Sequence, residues 1–255
     1  MSSHLVIGDP HAHPDHSNER FTALGNFVVD RKPDVIVNIG DWGDFPSLCS
    51  YDKGIKSEGR RYTDDVRAAN DALERFEQPV RAYNSTLRRG KRRLYLPRRL
   101  SLIGNHEHRV TKAAELTPEL FGTLSVDDVS FRQYGWEVAP FLEPKIIEGV
   151  AYCHYFVNRG GQAIAGDNVA NLVLQRTLCS SVFGHSHIRD FSEKSTLDGR
   201  RIIGLNVGCF FDYDMSYAGM VNDKWYRGIV MLHDVHEGQF DVEFINIDRL
   251  KKEYL

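Results

Sequence analysis

The chain has 255 residues, 42% of them hydrophobic and 26% charged, with a net charge of -3. That length suits one sizeable α/β domain over 1–255, and the mix is that of an ordinary globular protein. The small net charge excludes a global attraction to nucleic acid or an anionic membrane and leaves only local patches. The opening MSSHLVIGDPH has no cationic segment and only a short apolar stretch, so no signal peptide is read there. No run approaches the ~20 apolar residues of a membrane span. Four cysteines without a CxxC pair read as reduced thiols of a cytoplasmic protein.

In chain order, Leu5 to Ile7 reads as a short buried strand ending at Gly8-Asp9. A helix over Phe21 to Asp30 follows. Val35, Ile36, Val37 and Ile39 then form a second strand ending at Gly40-Asp41. The longest helix spans about Thr63 to Arg89. Val66, Ala69, Leu73, Phe76, Val80, Tyr83 and Leu87 recur at alternating spacings of three and four, which draws one apolar stripe. Core packing is its plain reading, and a dimer seam is the alternative. Thr63 suits the N-cap, Asp64 and Asp65 the first turn, and Gly90 the stop. Pro79 is expected to break or kink this helix. The segment 45–99, helical and then basic, is long for a link and reads as a cap over a site or an arm beside it.

LSLIGNHEH is a third strand ending in polar residues, and SSVFGHSH another. VAYCHYF places His154 within or at the end of a β-type run. A helix over Asp167 to Leu178 lies between these last two, and RIIGLNVGCF is a further strand. GIVMLHDVHEGQFDVEFINI closes the chain as two alternating runs around Glu237-Gly238, a hairpin. The aromatic run NVGCFFDYDMSYAG reads as core or as a pocket wall.

Eight of the eleven histidines stand at these strand ends or beside them: His11, His13, His16, His106, His108, His154, His185 and His187. In open α/β sheets ligands gather outside the carboxyl ends of the strands, so the polar clusters are expected to meet on one rim. Five clusters result: Asp9-x-His11, Gly40-Asp41-x-x-Asp44, Gly104-Asn105-His106-Glu107, His154, and Gly184-His185-x-His187. Taken singly, a DxH or a lone histidine is weak. The set in this order is specific.

From Asp9 to His187 the chain resembles the calcineurin-like metallophosphoesterases, whose signature is DxH, GDxxD, GNH(D/E), a separate His and GHxH. The resemblance implies a four-layer α/β/β/α sandwich, two mixed sheets flanked by helices, with two divalent ions at the strand ends. It implies that Asp9, His11 and His187 hold one ion, that Asn105, His154 and His185 hold the other, and that Asp41 bridges them. Such ions, ~3.5–4 Å apart, clamp an in-line displacement at phosphorus by a bridging hydroxide. The mixed nitrogen and oxygen ligands suit Mn first, with Fe, Zn or Ni as alternatives, better than Mg or Ca, which prefer all-oxygen shells. His106, which is not a ligand in the family, would protonate or stabilise the leaving oxygen, with Asp44 orienting its ring.

His13, His108 and Arg109 adjoin the motifs and are candidate substrate contacts. His4, His16, His233 and His236 read as structural or surface residues. The sequence GDWGDFP, with Phe45 where protein phosphatases of this superfamily carry an arginine, and the complete GHSH point away from phosphoproteins. A phosphodiester of a nucleotide or nucleic acid is the preferred substrate. A phosphomonoester of a small metabolite or phosphoprotein is the alternative, and a non-catalytic scaffold stands further off.

Residues 88–99 hold Arg88, Arg89, Lys91, Arg92, Arg93, Arg98 and Arg99 with no acid; removing these seven charges from -3 leaves -10. Lying just before the GNHE strand, this run, with Arg92 and Arg93 at its centre, reads as a track for a phosphate backbone near the ions, with Tyr95 placed to stack. The competing reading is a solvated loop whose cations answer a helix dipole.

Overall fold

The computed structural model describes residues 1–50, 58–215 and 217–255, so part of the 45–99 segment and Ser216 lie outside the described residues. The first half of the chain runs β1 (Ser2–Ile7), α1 (Glu19–Arg31), β2 (Val35–Asn38), α2 (Tyr62–Arg89), β3 (Arg98–Leu102), α3 (Asn105–Leu116) and β4 (Glu137–Ala139). The second half runs β5 (Lys145–Ile147), β6 (Val150–Tyr152), α4 (Val169–Thr177), β7 (Ser180–Phe183), β8 (Arg189–Ser195), β9 (Arg201–Val207), β10 (Gly228–His236), β11 (Gln239–Asn246) and α5 (Ile247–Tyr254). One sheet is ordered β11-β10-β1-β2-β3-β4 and the other β5-β6-β7-β9-β8. Both are mixed: β1 to β4 run parallel with β10 antiparallel to β1, while β6, β7 and β9 run parallel between antiparallel edges.

Alternation of side chains along each strand builds the layers. Val6, Val35, Val37, Leu100 and Leu102 point from the first sheet into a shared core with Val150, Tyr152, Val182, Leu205 and Val207 of the second. Leu5, Ile7 and Ile36 point the other way, under α1 and α2. Ala151 and Phe183 point outward under α4. This is the four-layer α/β/β/α arrangement. Burial of both faces explains why the strands read as unbroken apolar runs rather than alternating ones. Among the described residues no helix is long and apolar enough to cross a membrane.

The stripe on α2 is core. Ala69, Leu73, Phe76 and Val80 are buried together with Trp42, Phe131 and Trp136 and with Phe21, Leu24 and Phe27 of α1. The helix is thus part of the outer layer of the first sheet; the cap or arm expected of it is not what its described residues form. Nor does Pro79 end it, because Tyr62–Arg89 is one helix. A missing N–H forfeits one backbone bond, but Pro79 is buried where α1 crosses, and Gly25 of α1 makes room. A Cβ on Gly25 would meet the Phe76 carbonyl oxygen and lie 2.9 Å from Pro79 Cγ.

Two helices were not legible beforehand. α3 begins inside the GNHE cluster and α5 follows the terminal hairpin. The basic run also lies elsewhere than expected. Arg98 pairs in register with Val35, which pairs with His4, so residues 88–97 stand at the amino ends of the parallel strands. The metal-type motifs stand at the carboxyl ends. Closeness in sequence misled here because β3 itself separates the two. Tyr95 donates its hydroxyl to Pro33 O at 2.7 Å and is half-buried, so it is tied down rather than presented for stacking.

Gly25→Ala should destabilise the protein by about 1–3 kcal/mol through overpacking, despite the ~1 kcal/mol gain in helix propensity. Urea unfolding would register this as a lower midpoint at an unchanged m-value; a raised midpoint would contradict the crossing described.

Candidate metal centre

Each expected ligand lies at or just past the end of an element: Asp9 and His11 after β1, Asp41 after β2, Asn105 at the start of α3, His154 after β6, His185 and His187 after β7. The chain must turn sharply there. His11, Asp41, His185 and His187 all have left-handed backbone, with φ of 44°, 53°, 70° and 60°. Each such residue costs about 1–3 kcal/mol unless its surroundings hold it. The motif glycines serve a second purpose. A Cβ on Gly184 would strike Asp9 Oδ1, one on Gly104 would strike Asp41 Oδ1, and one on Gly40 would lie 2.7 Å from His154 Nδ1. The carboxylates sit where those side chains would be.

Among the described residues three groups of side chains are able to hold a metal ion, each with donor atoms within 4.8 Å of one another: Asp9, His11 and His187; Asp41, His154 and His185; and His11, Asp41 and His106. The first is the trio Asp9, His11 and His187 expected from sequence, and the second brings together His154 and His185 of the other trio with Asp41. Asn105 joins that one, its Oδ1 standing 2.9 Å from His154 Nε2. Asp41 Oδ2 lies 3.3 Å from His154 Nε2, 3.7 Å from His11 Nε2 and 3.8 Å from His106 Nε2, between the groups. The other oxygen, Oδ1, accepts the His106 backbone N–H at 2.8 Å, at the amino end of α3.

The ring nitrogens facing protein acceptors fix the orientation of the rings. His154 Nδ1 faces the Ile39 carbonyl at 3.1 Å, so it donates and Nε2 faces the site. His11 Nδ1 lies 2.8 Å from Asp44 Oδ1, which leaves His11 Nε2 directed at Asp9 and Asp41. A histidine that donates its far N–H to a carboxylate or carbonyl is the arrangement metal ligands adopt. His106 Nδ1 is 3.0 Å from that same Asp44 Oδ1 and 2.6 Å from the Asp44 carbonyl. Asp44 therefore holds His11 as well as His106, a sharing not anticipated from the sequence.

The donor set fits a divalent ion. Asp9 Oδ1 and His11 Nε2 are buried and have no hydrogen-bond partner among the described residues. Lone pairs of Asn105, Asp41 and His154 face one another, an arrangement that needs a proton or a cation between them. Without a metal, protons fill the role. Burial depresses the His154 imidazolium, but Asp41 and Asp9 outweigh it and raise its pKa to about 9. Burial would raise Asp44, yet the hydrogen bonds from His106 and His11 hold it well below the usual carboxylate range. His185 is pushed down to about 4 by burial and by His154.

Glu107 is a residue whose part sequence reasoning did not assign. Buried, it accepts the backbone N–H groups of Asp41 (3.0 Å), Gly43 (3.0 Å) and Gly104 (2.9 Å), locking the GDxxD loop to the start of α3. Burial and the Asp41 charge push its pKa up to about 7. A Glu three residues past a helix start is a capping signal that would have found it. Arg20 was also missed. It is buried on the apolar face of α1, and its guanidinium donates to the carbonyls of Phe210, Ser17, Pro10 and His11, tying the DxH loop to the chain after β9. Its signal was a charge in line with Leu24 and Phe27.

A cleft of about 680 Å³ opens on the site, lined by His13, Arg60, Asn105, His106, Arg109 and Tyr213 among others. His13 Nε2 is 3.6 Å from Asp44 Oδ2, and Arg109 Nη2 is 2.9 Å from His106 Nε2. His16, read as structural or surface, lines the same cleft and stacks on Tyr213 at 3.7 Å and 7°. From the aromatic run, Tyr213, Met215 and Tyr217 line the cleft, while Cys209, Phe210 and Phe211 are core. His108 does not line it. The ring stacks on Phe141 at 4.3 Å, because one residue short of Arg109 on a helix is a turn of about 100° away. Arg92 and Arg93 also stand apart from it, at the other end of β3.

These features define a four-layer α/β/β/α protein with a buried histidine–carboxylate centre able to hold metal. The chain is 24% identical over 246 residues to the Gene 54 protein of Mycobacterium phage L5, covering 91% of this chain and 89% of that one. It is 27% identical over 197 residues to the Gene 54 protein of Mycobacterium phage D29, covering 73% and 70%. Neither name states an activity. No protein-family model matches the chain. Among solved structures, the Zn²⁺ complex of Vps29 from Entamoeba histolytica aligns over 96% of this chain and 99% of its own, at 13% identity and a TM-score of 0.38.

Glu107→Ala strands three buried N–H groups, each costing about 1–3 kcal/mol. Thermal unfolding should show a melting temperature lower by 10 °C or more, on the scale of about 2–4 °C per kcal/mol for a chain of this size. A shift within 2 °C would show that those amides find other partners.

Proposed function

We propose that the chain is a dinuclear metal-dependent phosphoesterase of the calcineurin-like type, hydrolysing a phosphodiester in a nucleotide or nucleic acid. The observation that carries this reading is Asp41 Oδ2, which stands 3.3 to 3.7 Å from a ligand nitrogen of each of two donor groups. One group is Asp9, His11 and His187, the other Asn105, His154 and His185. Two bound divalent ions supply Lewis acidity at a phosphoryl oxygen and lower the pKa of water. Mn is the first choice for so mixed a nitrogen and oxygen set, with Fe, Zn and Ni as alternatives.

The remaining work falls to the chain itself. His106 Nδ1 donates to Asp44, so Nε2 is the nitrogen turned towards the cleft, and it delivers a proton to the leaving oxygen. Asp41 and Asp44 together outweigh the burial of His106 and raise its pKa, favouring the protonated ring that this role requires. Arg109 Nη2 donates to that nitrogen at 2.9 Å, and its transfer to the phosphoryl oxygens as substrate enters frees Nε2 to take up the proton it delivers. His13, near Asp44, is a second phosphate contact on the same wall. The stacked pair His16 and Tyr213 offers a ring face to a base or an aromatic leaving group.

Turnover of bis-p-nitrophenyl phosphate should rise on addition of Mn²⁺. In His106→Ala it should fall by ~10²–10⁴-fold while bound metal, read by elemental analysis, is retained. Full activity in that variant would remove the acid role from His106. Asp41→Asn should instead lower the metal stoichiometry, and an unchanged stoichiometry would count against the bridge. No metal-stimulated turnover of diester or monoester by the unsubstituted protein would sink the reading as a whole.

A further inference from the structure

The edge of the molecule opposite the metal centre carries a concentration of cations that the proposed chemistry does not use. Arg88, Arg89, Lys91, Arg92 and Arg93 are all exposed. None makes an ion pair or side-chain hydrogen bond among the described residues, whereas Arg98 and Arg99 just beyond them pair with Glu137 and Glu77. Lys32, at the end of α1, lies alongside, 5.2 Å from the ring of Tyr83 on α2. The carboxylates nearest in sequence to it are engaged elsewhere, Asp30 with Tyr254 and Asp34 with Ser3.

The helix dipole accounts for only part of this. Its effect is confined to the last turn, which covers Arg88 and Arg89 but not Lys91 to Arg93. Moreover the chain leaves α1 and α2 through a lysine with left-handed backbone, Lys32 at the end of α1 at φ 50° and Lys91, just past Gly90 at the end of α2, at φ 52°. Glycine is the residue that adopts that conformation without strain. Two cations thus stand where glycine would be unstrained, and five stand within six residues against their own repulsion.

We infer that this edge is an anchor for the phosphate backbone of a nucleic acid, remote from the cleft where the ester is cut. The choice of nucleic acid rests on the phosphodiester reading above. It is also favoured by the form of the patch, an exposed ridge around a helix end, which meets an extended polyanion rather than enclosing a small phosphate. Leu96 is the exposed apolar side chain beside it, too little for insertion into a lipid surface. Since β3 alone puts roughly 15 Å between the ridge and the site, only a strand several nucleotides long reaches both. The ridge contributes affinity without sequence preference, because contacts to phosphates carry no sequence information.

The test is fluorescence anisotropy with a labelled single-stranded oligonucleotide of about 20 nucleotides, in EDTA so that nothing is cut, as salt is raised. Replacing Arg88, Arg92 and Arg93 together by Gln should weaken binding roughly tenfold or more near 0.1 M salt. The slope of log K against log[salt] should become shallower by about 2, at ~0.7 per cation lost. An equal affinity and slope in this variant overturns the anchor. So does an equal loss in a control with Arg67, Arg132 and Arg200 changed to Gln, which removes the same charge elsewhere. Binding of the unsubstituted protein to phosphatidylglycerol vesicles through these arginines, with none to the oligonucleotide, would also overturn it in favour of a membrane. Turnover of the small diester by the unsubstituted protein reads the catalytic proposal on its own, so either can fail without the other.

Discussion

Buried lone pairs that face one another set the terms for the rest of this molecule. Asp9, Asp41, Asn105, His11 and His154 aim acceptor atoms at one another on the floor of the cleft, most of them buried, where an uncompensated charge or acceptor is costly. Only protons or cations can relieve that convergence. Protons do so through imidazolium at His154, whose raised pKa reports the same crowding of carboxylates that a divalent ion would neutralise. Metal and protons therefore compete for one set of lone pairs. The left-handed backbone at His11, Asp41, His185 and His187, and the glycines against which the carboxylates rest, are the local cost of bringing these atoms together. That strain is sustained by two well-packed sheets with helices on both outer faces, which over-determine where every strand ends.

A second rank of carboxylates converts this convergence into an oriented site. Asp44 Oδ1 lies within hydrogen-bond distance of both His11 and His106, so the ring turned towards Asp9 and Asp41 and the ring turned towards the cleft are held by one atom. Displacing Asp44 would release both rings at once, and the effects of changing Asp44, His11 and His106 would not be additive. Glu107 acts one step further out, on backbone rather than side chains. By accepting three amides from two loops it fixes the positions from which Asp41 and Asn105 project. Arg20 performs the complementary task with donors, closing four carbonyls of the DxH loop and the chain after β9.

The strand ends were legible in the sequence because a strand buried on both faces is a short apolar run, and glycine followed by Asp, Asn or His has few other uses at such a place. The stripe on α2 was legible for a similar reason, its spacing of three and four. What escaped was whatever depends on direction in space. α3 starts within a polar cluster that reads as a loop, and once it is a helix His108 must turn from the cleft while Arg109 turns into it. The basic run is about a dozen residues from the GNHE motif along the chain, yet β3 carries the chain from one end of the sheet to the other in between. Tyr95 reads as an exposed aromatic until its hydroxyl is seen to bond Pro33. Asp44 was linked to His106 by motif order, but its bond to His11 is a contact between loops that no spacing announces.

The same geometry separates acceptors from cations across the molecule. In a strand–helix–strand unit the helix leaves from the carboxyl end of one strand and returns to the amino end of the next. Helix amino ends, with their unpaired N–H groups, therefore collect beside the motifs, and the α3 amide of His106 on Asp41 Oδ1 is one such contact at a buried carboxylate. Helix carboxyl ends collect at the other edge, where their dipoles favour positive charge, and α1 and α2 both finish there. Topology alone thus prepares one edge to stabilise anionic ligands of a cation and the other to carry surplus positive charge. The ridge of Arg88 to Arg93 exceeds what the dipoles require, and it lies where a polyanion held by it must run the height of the sheet to reach the site.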